Sequence, residues 1–431
     1  MEKELLGSFR EAYRNLELLP LRTPEALAEF GVEYGQEVIE ELYQLVEDDP
    51  NRTGKIIFTG HRGCGKSTVL TKFTQRYQEQ YFIVLFSISD TIEMSDVNHI
   101  NILFAIALNL MQQAKLNGLN IPDEDRQNIY RWFAKQTQTE IENVGAEVNL
   151  GFDLFKIFSG KLKADAVVRN EIKQEFERKV TDLIARVDQI AALIRGQTEK
   201  EILVIIDDLD KLDLSVVNRV FRDNLKPLCQ PSFQVIYTIP TAALRDKYLK
   251  PIIETGTDDQ IVMMRVVKLF TKGKGRVPEE QPVQSAADTL CKVIKKRIPG
   301  ELLADETASK MVIYSGGVLR ELIRVTKECC RICLRKLRQE PELTQLKINH
   351  EILEEAVNNL RNDFALPLGK ADYEILAETY KNNAPDDPKK AEFLELLHGL
   401  HVLEYRNREI WYDVHPIVVG LLHDRELLDG T

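Results

Sequence analysis

The sequence predicts an α/β fold: a parallel sheet flanked by helices, interrupted by a mostly helical insertion and followed by further helical segments. Three observations predict it. Lys55-Ile-Ile-Phe-Thr59 reads as a short buried strand, and Glu201-Ile-Leu-Val-Ile-Ile-Asp207 holds five consecutive aliphatics, the pattern of a central parallel strand covered on both faces. Glycines follow the first strand and acids the second, where open α/β sheets meet their ligands. The 431 residues exceed one small core, so roughly two to four domains are expected.

Composition narrows the class. With 44% hydrophobic and 29% charged residues, the chain reads as soluble and globular. It has no run of about 18 apolar residues, so no membrane span is expected. The N-terminal MEKELLGSFREAYR lacks the apolar stretch of a signal peptide. The six cysteines are scattered, which fits a reducing cytosol and a cytoplasmic location. A net charge of -11 argues against nucleic-acid binding through bulk charge but leaves room for a local basic patch.

Residues 1–50 read as an N-terminal helical segment. After the first strand comes Gly60-His-Arg-Gly-Cys-Gly-Lys-Ser-Thr68, which matches the P-loop pattern GxxxxGK[ST]. From Lys66 to Gln80, Val69, Leu70, Phe73 and Tyr77 fall near helical spacing, so the glycines sit between a strand and a helix. Gly60, Gly63 and Gly65 let the backbone take positive φ and bring amides close to an anion. The amides form a nest, and the helix N-terminus adds positive potential. In this reading Lys66 reaches the β- and γ-phosphates and the Ser67 hydroxyl ligates Mg²⁺. Thr68 directly follows the motif in the phosphate-binding stretch, and Cys64 contributes its backbone amide. The alternative is a structural glycine turn. Past the second strand, Asp207 would hold Mg²⁺ directly or through water. Asp208 would orient or deprotonate the attacking water, and Asp210 would face solvent or pair with Lys211. The alternative is an acidic loop after a buried strand.

On these motifs the chain resembles the AAA+ and STAND divisions of P-loop ATPases, and also the origin-recognition type of AAA+ initiator. The paired aspartates of "VIIDDLDKL" look more STAND-like, because typical AAA+ proteins carry Asp-Glu there. The resemblance implies a parallel P-loop NTPase sheet flanked by helices, a helical lid, a C-terminal winged helix, and ATP rather than GTP with Mg²⁺. It places Thr238, in the strand Phe233–Pro240, at the sensor 1 position; the alternative is an ordinary strand-ending threonine. It places Arg320, in Ser315-Gly-Gly-Val-Leu-Arg-Glu-Leu322, at the start of the sensor 2 helix. There it would reach the γ-phosphate, unless it is a surface arginine. Arg245 and Arg222 are the candidates for an arginine finger. The expected division is an N-terminal helical segment at 1–50, an ATPase core at 51–280 with an insertion at about 91–200, a lid at 281–345 and a winged-helix-like domain at 346–431. In the last, helices at 371–381 and 389–399 precede strands His401–Tyr405 and Glu409–Val414, with Arg406-Asn-Arg408 as the wing turn. His415-Pro416 then opens a final helix.

The interval between the P-loop and Asp207 is longer than a minimal AAA+ core uses. Tyr81–Ser89 reads as a strand and Asn101–Lys115 as an apolar helix. Residues 90–99 read as a helix-capping loop, with a nucleotide or partner site as the alternative. Leu150–Phe158 carries three phenylalanines, expected under the insertion's own helices rather than as a docking or membrane-contacting element. Glu171–Arg195 has the spacing of one long helix. Cys329, Cys330 and Cys333 read as free core thiols rather than metal ligands.

His350–Thr431 holds 17 acidic and 8 basic side chains, which favours a protein-contact or nucleotide-gating winged helix over a DNA-binding one. Lys310–Arg338 is basic, so DNA through the lid remains an alternative. The favoured partner for those cations is the acidic winged helix of the same or a neighbouring chain. The expected function is an ATP-binding, slowly hydrolysing switch whose nucleotide state controls homo-oligomerisation and binding of an unidentified protein partner, with prokaryotic defence signalling as one setting. The alternatives are a DNA-associated ATPase (initiator, loader or transposition regulator) and a non-hydrolysing scaffold.

Overall fold

The computed structural model describes residues 2–139, 154–276, 280–406 and 409–428. In chain order the elements are α1 (Glu2–Asn15), α2 (Pro24–Phe30), α3 (Gln36–Glu47), β1 (Lys55–Gly60), α4 (Lys66–Tyr77), β2 (Tyr81–Ser87), α5 (His99–Leu116), α6 (Asp123–Gln136), α7 (Leu154–Ala164), α8 (Ala166–Glu177), α9 (Val180–Thr198), β3 (Glu201–Asp207), β4 (Gln234–Pro240) and β5 (Ile261–Met264). There follow α10 (Gln284–Lys295), α11 (Thr307–Tyr314), α12 (Leu319–Gln339), α13 (His350–Ala365), α14 (Lys370–Asn382), α15 (Ala391–His398), β6 (Val402–Arg406), β7 (Ile410–Val414) and α16 (Pro416–Asp424). Two compact units result. One comprises Met1–Gln36, Gly60–Val69 and Met264–Thr431; the other comprises Glu37–Thr59 and Leu70–Met263.

The second unit is built on a five-stranded parallel sheet of order β2-β3-β4-β1-β5. Every residue of β1 and β4 is buried, as is every residue of β3 after Glu201, which is why β3 reads as an unbroken apolar run from Ile202 to Ile206. Register pairs Ser87 with Asp207 and Ile206 with Tyr237, so the ends of β2, β3 and β4 share one edge of the sheet. Helices α5 and α9 pack on this sheet, and α7 and α8 pack on α5. Helix α5 is apolar nearly all round because it is covered on several sides, with twelve buried residues from Ile100 to Ala114.

Several expectations change here. The helix expected over 171–195 is two helices, α8 and α9, separated by a turn at Arg178–Lys179. The amide of Lys179 bonds the Phe176 carbonyl (3.1 Å), and the turn lets both halves lie against α5. Periodicity survived the break because both pieces bury the same kind of face. The strand expected over 81–89 ends at Ser87, whose hydroxyl accepts the Ser89 amide and caps a short turn, Ile88–Thr91. Residues 90–99 do contain a helix cap: the Asn98 side chain accepts from the amides of Ile100 and Asn101 at the start of α5. Phe155 and Phe158 are fully buried against Phe133, while residues 150–153 lie outside those described. No described helix is long and apolar enough to cross a membrane.

In the first unit, α12 packs against α1, α10, α11 and α13. The three cysteines of α12 are buried, and burial pushes their thiols upward, Cys333 to about 12. Arg324 pairs with Asp363 of α13 (2.7 Å), and Arg335 pairs with Glu355, so part of the basic lid meets acids of its own chain. Helices α14 and α15, the antiparallel β6–β7 hairpin and α16 follow one another in the order expected of a winged helix. Arg406 ends β6 and pairs with Glu404 (2.9 Å); the remainder of the expected wing turn, residues 407–408, lies outside those described.

His415 is wholly buried at the start of α16. Its Nδ1 accepts the Ile417 amide (3.3 Å), and its ring stacks on Phe364. Burial, reinforced by nearby His401, Arg324 and His61, pushes its pKa down to about 3. An unfolded histidine binds protons near its ordinary value of about 6.5, so between these values the unfolded chain holds more protons. The stability that neutral His415 provides is therefore complete above about pH 6.5 and falls away as pH drops toward 3. Denaturant titrations of wild type and His415→Asn, which keeps an acceptor at the cap, should differ most near neutral pH and converge on acidification. A gap that stays constant from pH 7 to pH 4 would contradict this.

Candidate functional site

The P-loop is held inside the first unit. At Gly63 (φ +81°) a Cβ would lie 2.4 Å from the Cβ of Arg320, and at Gly65 (φ +103°) it would lie 3.0 Å from Leu319, so side chains are excluded by space as well as by backbone angle. Lys66, 4% exposed, donates from Nζ to the carbonyls of Gly60 (2.8 Å) and His61 (2.9 Å). Those two bonds hold the ammonium beside the loop. Ser67 and Thr68 open α4 half-buried, and Thr68 Oγ1 accepts the Leu21 amide (3.3 Å). Cys64 is buried; its amide bonds the His61 carbonyl (3.3 Å), and its own carbonyl accepts the Tyr34 hydroxyl (3.0 Å). Burial drives the Tyr34 hydroxyl pKa upward, so it remains a donor.

Two contacts join this loop to the C-terminal elements. The amide of Arg320, in the first turn of α12, donates to the Gly63 carbonyl (3.0 Å). The amide of Glu404, within β6, donates to Nε2 of the buried His61 (2.9 Å). Gly317 makes the approach of α12 possible: at φ +85° it leaves no room for a Cβ, which would sit 1.9 Å from the Val267 carbonyl oxygen.

The acidic cluster lies in the second unit, at the end of β3. Asp207, Asp208 and Asp210 are all buried, and each offers a carboxylate oxygen within 4.8 Å of the others. Three hard oxygen donors so close suit a divalent cation of the Mg²⁺ class. Asp210 corrects the expectation: it is buried rather than solvent-facing, and Lys211 pairs with Asp208 instead (2.5 Å). The reason is the backbone. Asp208 takes a left-handed conformation (φ 70°) that turns the chain into a 3-10 turn and brings Asp210 inward.

Asp208 Oδ2 accepts from the hydroxyls of Ser87 (2.7 Å) and Ser89 (3.1 Å). Burial alone would raise its pKa, but the bonds from Lys211, Ser87 and Ser89 outweigh it and hold the carboxyl below the usual range. So depressed, it is a weak base, better suited to orienting a water than to taking its proton. Thr238 is fully buried beneath this turn. Its hydroxyl donates to the Ile206 carbonyl (3.0 Å) and accepts the Leu209 amide (3.1 Å), clamping both sides of the aspartate pair. Arg222 pairs with its neighbour Asp223 (3.0 Å), and Arg245 ends a 3-10 turn after β4.

Sequence reasoning missed His61, Tyr34, Ser87 and Ser89. A histidine at the variable second position of the motif carries no local signal, because its partner Glu404 is 343 residues away. The serines lay inside the strand expected over 81–89, which ends at Ser87, and its pairing with β3 carries no local signal.

Residues 36–226 match the AAA ATPase domain family. No curated protein matches in sequence. Among solved structures, the chain is similar to a Walker-type ATPase of Pyrococcus abyssi at 12% identity, covering 95% of this chain and 99% of that one with a TM-score of 0.44. It is similar to Cdc6p from Pyrobaculum aerophilum at 11% identity, with coverages of 95% and 98% and a TM-score of 0.40. It is also similar to the Aeropyrum pernix Orc1 protein solved in complex with DNA, at 12% identity, with coverages of 95% and 97% and a TM-score of 0.39.

Replacing Thr238 with Val keeps the shape but strands the buried Leu209 amide. It should cost about 1–3 kcal/mol of stability by denaturant titration, whereas Thr238→Ser should recover most of the loss. Equal stability for all three proteins would show that the clamp is not needed.

Proposed function

We propose that the protein is an ATP-dependent switch in which the nucleotide state of the P-loop sets the positions of the lid and the winged helix. The observation that carries this reading is the pair of bonds that Gly63 and His61 accept from the amides of Arg320 and Glu404. Phosphates entering the loop would engage its amides and draw Lys66 from the carbonyls of Gly60 and His61. Any backbone adjustment there reaches α12 through Gly63 and β6 through His61, so the two elements respond to one event.

In this reading Gly60, Gly63, Cys64, Gly65 and Lys66 cradle the phosphates, with Ser67 and Thr68 at the head of α4. Ser67 offers a hydroxyl ligand for Mg²⁺ in the first unit, and in the second Asp207 and Asp210 offer carboxylates for such an ion, which when bound would neutralise phosphate charge. Asp208 orients the attacking water, and Arg320 responds to the γ-phosphate. Slow hydrolysis is supported by the same arrangement that depresses Asp208: a weak base tied by Lys211 and two serines turns over slowly. The acids of α13 that meet Arg324 and Arg335 support an internal role for part of the lid's charge. A change in lid and winged-helix position would expose or bury a surface for another protein or a second copy of this chain.

Lys66→Ala should lose ATP binding, read by calorimetry or a fluorescent ATP analogue; normal affinity would remove the basis of the proposal. Asp208→Asn should retain binding and lose about 10²-fold or more of turnover. Turnover at the parental rate would exclude Asp208 as the residue that handles the water.

A further inference from the structure

Within the first unit, α1 and α12 enclose a cleft of about 600 Å³ whose charged lining, among the described residues, is entirely cationic. Arg10 and Arg14 come from α1, and Arg331, Arg335 and Arg338 from α12, with Tyr13 between the two groups. The spacing explains the convergence. Positions 10 and 14 are one turn apart, and 331, 335 and 338 follow one face of α12. Like charges at these spacings repel and weaken a helix. Lys327 adds a further cation, its Nζ lying 4.8 Å from the centre of the Tyr13 ring.

Only part of this charge is neutralised within the chain. Arg331 pairs with Glu328 through Nε (2.6 Å), and Arg335 pairs with Glu355. Among the described residues, no ion pair engages Arg10, Arg14 or Arg338. Single exposed arginines are commonly solvated without further role. Here two helices turn their cationic faces into one concavity, which concentrates potential that solvent alone screens poorly. Guanidinium forks match phosphate oxygens, and five of them exceed what one phosphate can use. From Arg331 to Arg338 the row extends about 10 Å along the helix. A row of that length fits a chain of phosphates better than a single anion.

We propose that this cleft binds the phosphodiester backbone of a nucleic-acid strand. The overall charge of -11 opposes adsorption elsewhere, so binding would be local and strongly salt-dependent. The P-loop takes no part in the site, and the inference stands whether or not the nucleotide switch is correct.

The test is fluorescence anisotropy of the full chain with a labelled 20-nucleotide oligo(dT) and with its oligo(dA) duplex, from 50 to 200 mM salt. Binding of either probe is expected. Arg10→Gln/Arg14→Gln should weaken it by at least about tenfold and flatten the slope of log affinity against log salt by about 1.4 for the single strand. Arg338→Gln, exposed near the end of α12, tests the same cleft without touching α1, and thermal melting checks that each variant is folded. ATP-analogue binding should be unchanged in these variants; its failure in wild type would count against the switch and not against this site. No binding of either probe at 50 mM salt would overturn the proposal, as would binding that folded variants leave intact. Displacement of the strand by inorganic tripolyphosphate at an equal phosphate concentration would also overturn it, because the ligand would then be a small polyphosphate.

Discussion

His61 and Gly63 lie within one turn of backbone, and each is bonded to a different C-terminal element. The Gly63 carbonyl receives the first turn of α12, and the His61 ring receives the edge of β6. Much of the first unit's organisation follows from satisfying these groups. Gly317 must be glycine for α12 to approach. His61 must be neutral at Nε2 to accept the Glu404 amide. Tyr405 secures the next step of the same hairpin by donating its hydroxyl to the Gly316 carbonyl (2.7 Å). The backbone of the loop is a structural neighbour of both C-terminal elements.

Charge is handled differently in the two units. In the first, Lys66 donates to two carbonyl oxygens of its own loop. In the second, three buried aspartates crowd together, and one is relieved by Lys211 and two serines. Buried like charges are unfavourable unless a cation or donors compensate them. The donor set around Asp208 supplies part of that compensation, and the oxygens of Asp207 and Asp210 have the character a divalent ion requires.

The sheet and its two motifs were legible because their signals are local. The unbroken apolar run of β3 reflects burial on both faces, and the glycines of the P-loop reflect backbone angles that only glycine takes easily. The break between α8 and α9 was illegible because both halves bury the same helical periodicity across a two-residue turn. Asp210 was misplaced because its burial depends on the left-handed angle at Asp208, which no neighbouring glycine announces. The tie between His61 and Glu404 was invisible for a different reason: it joins a motif position open to any residue with a backbone amide that any residue would supply.

The central claim is that the P-loop transmits its state to the lid and the winged helix. Amide hydrogen exchange of the full chain tests it most directly, comparing peptides that cover 316–324 and 401–406 without nucleotide, with ADP and with a non-hydrolysable ATP analogue. The account predicts that protection of both peptides changes between the ADP and ATP-analogue states, and that Lys66→Ala abolishes the change. Bound nucleotide with identical protection in every state would contradict it.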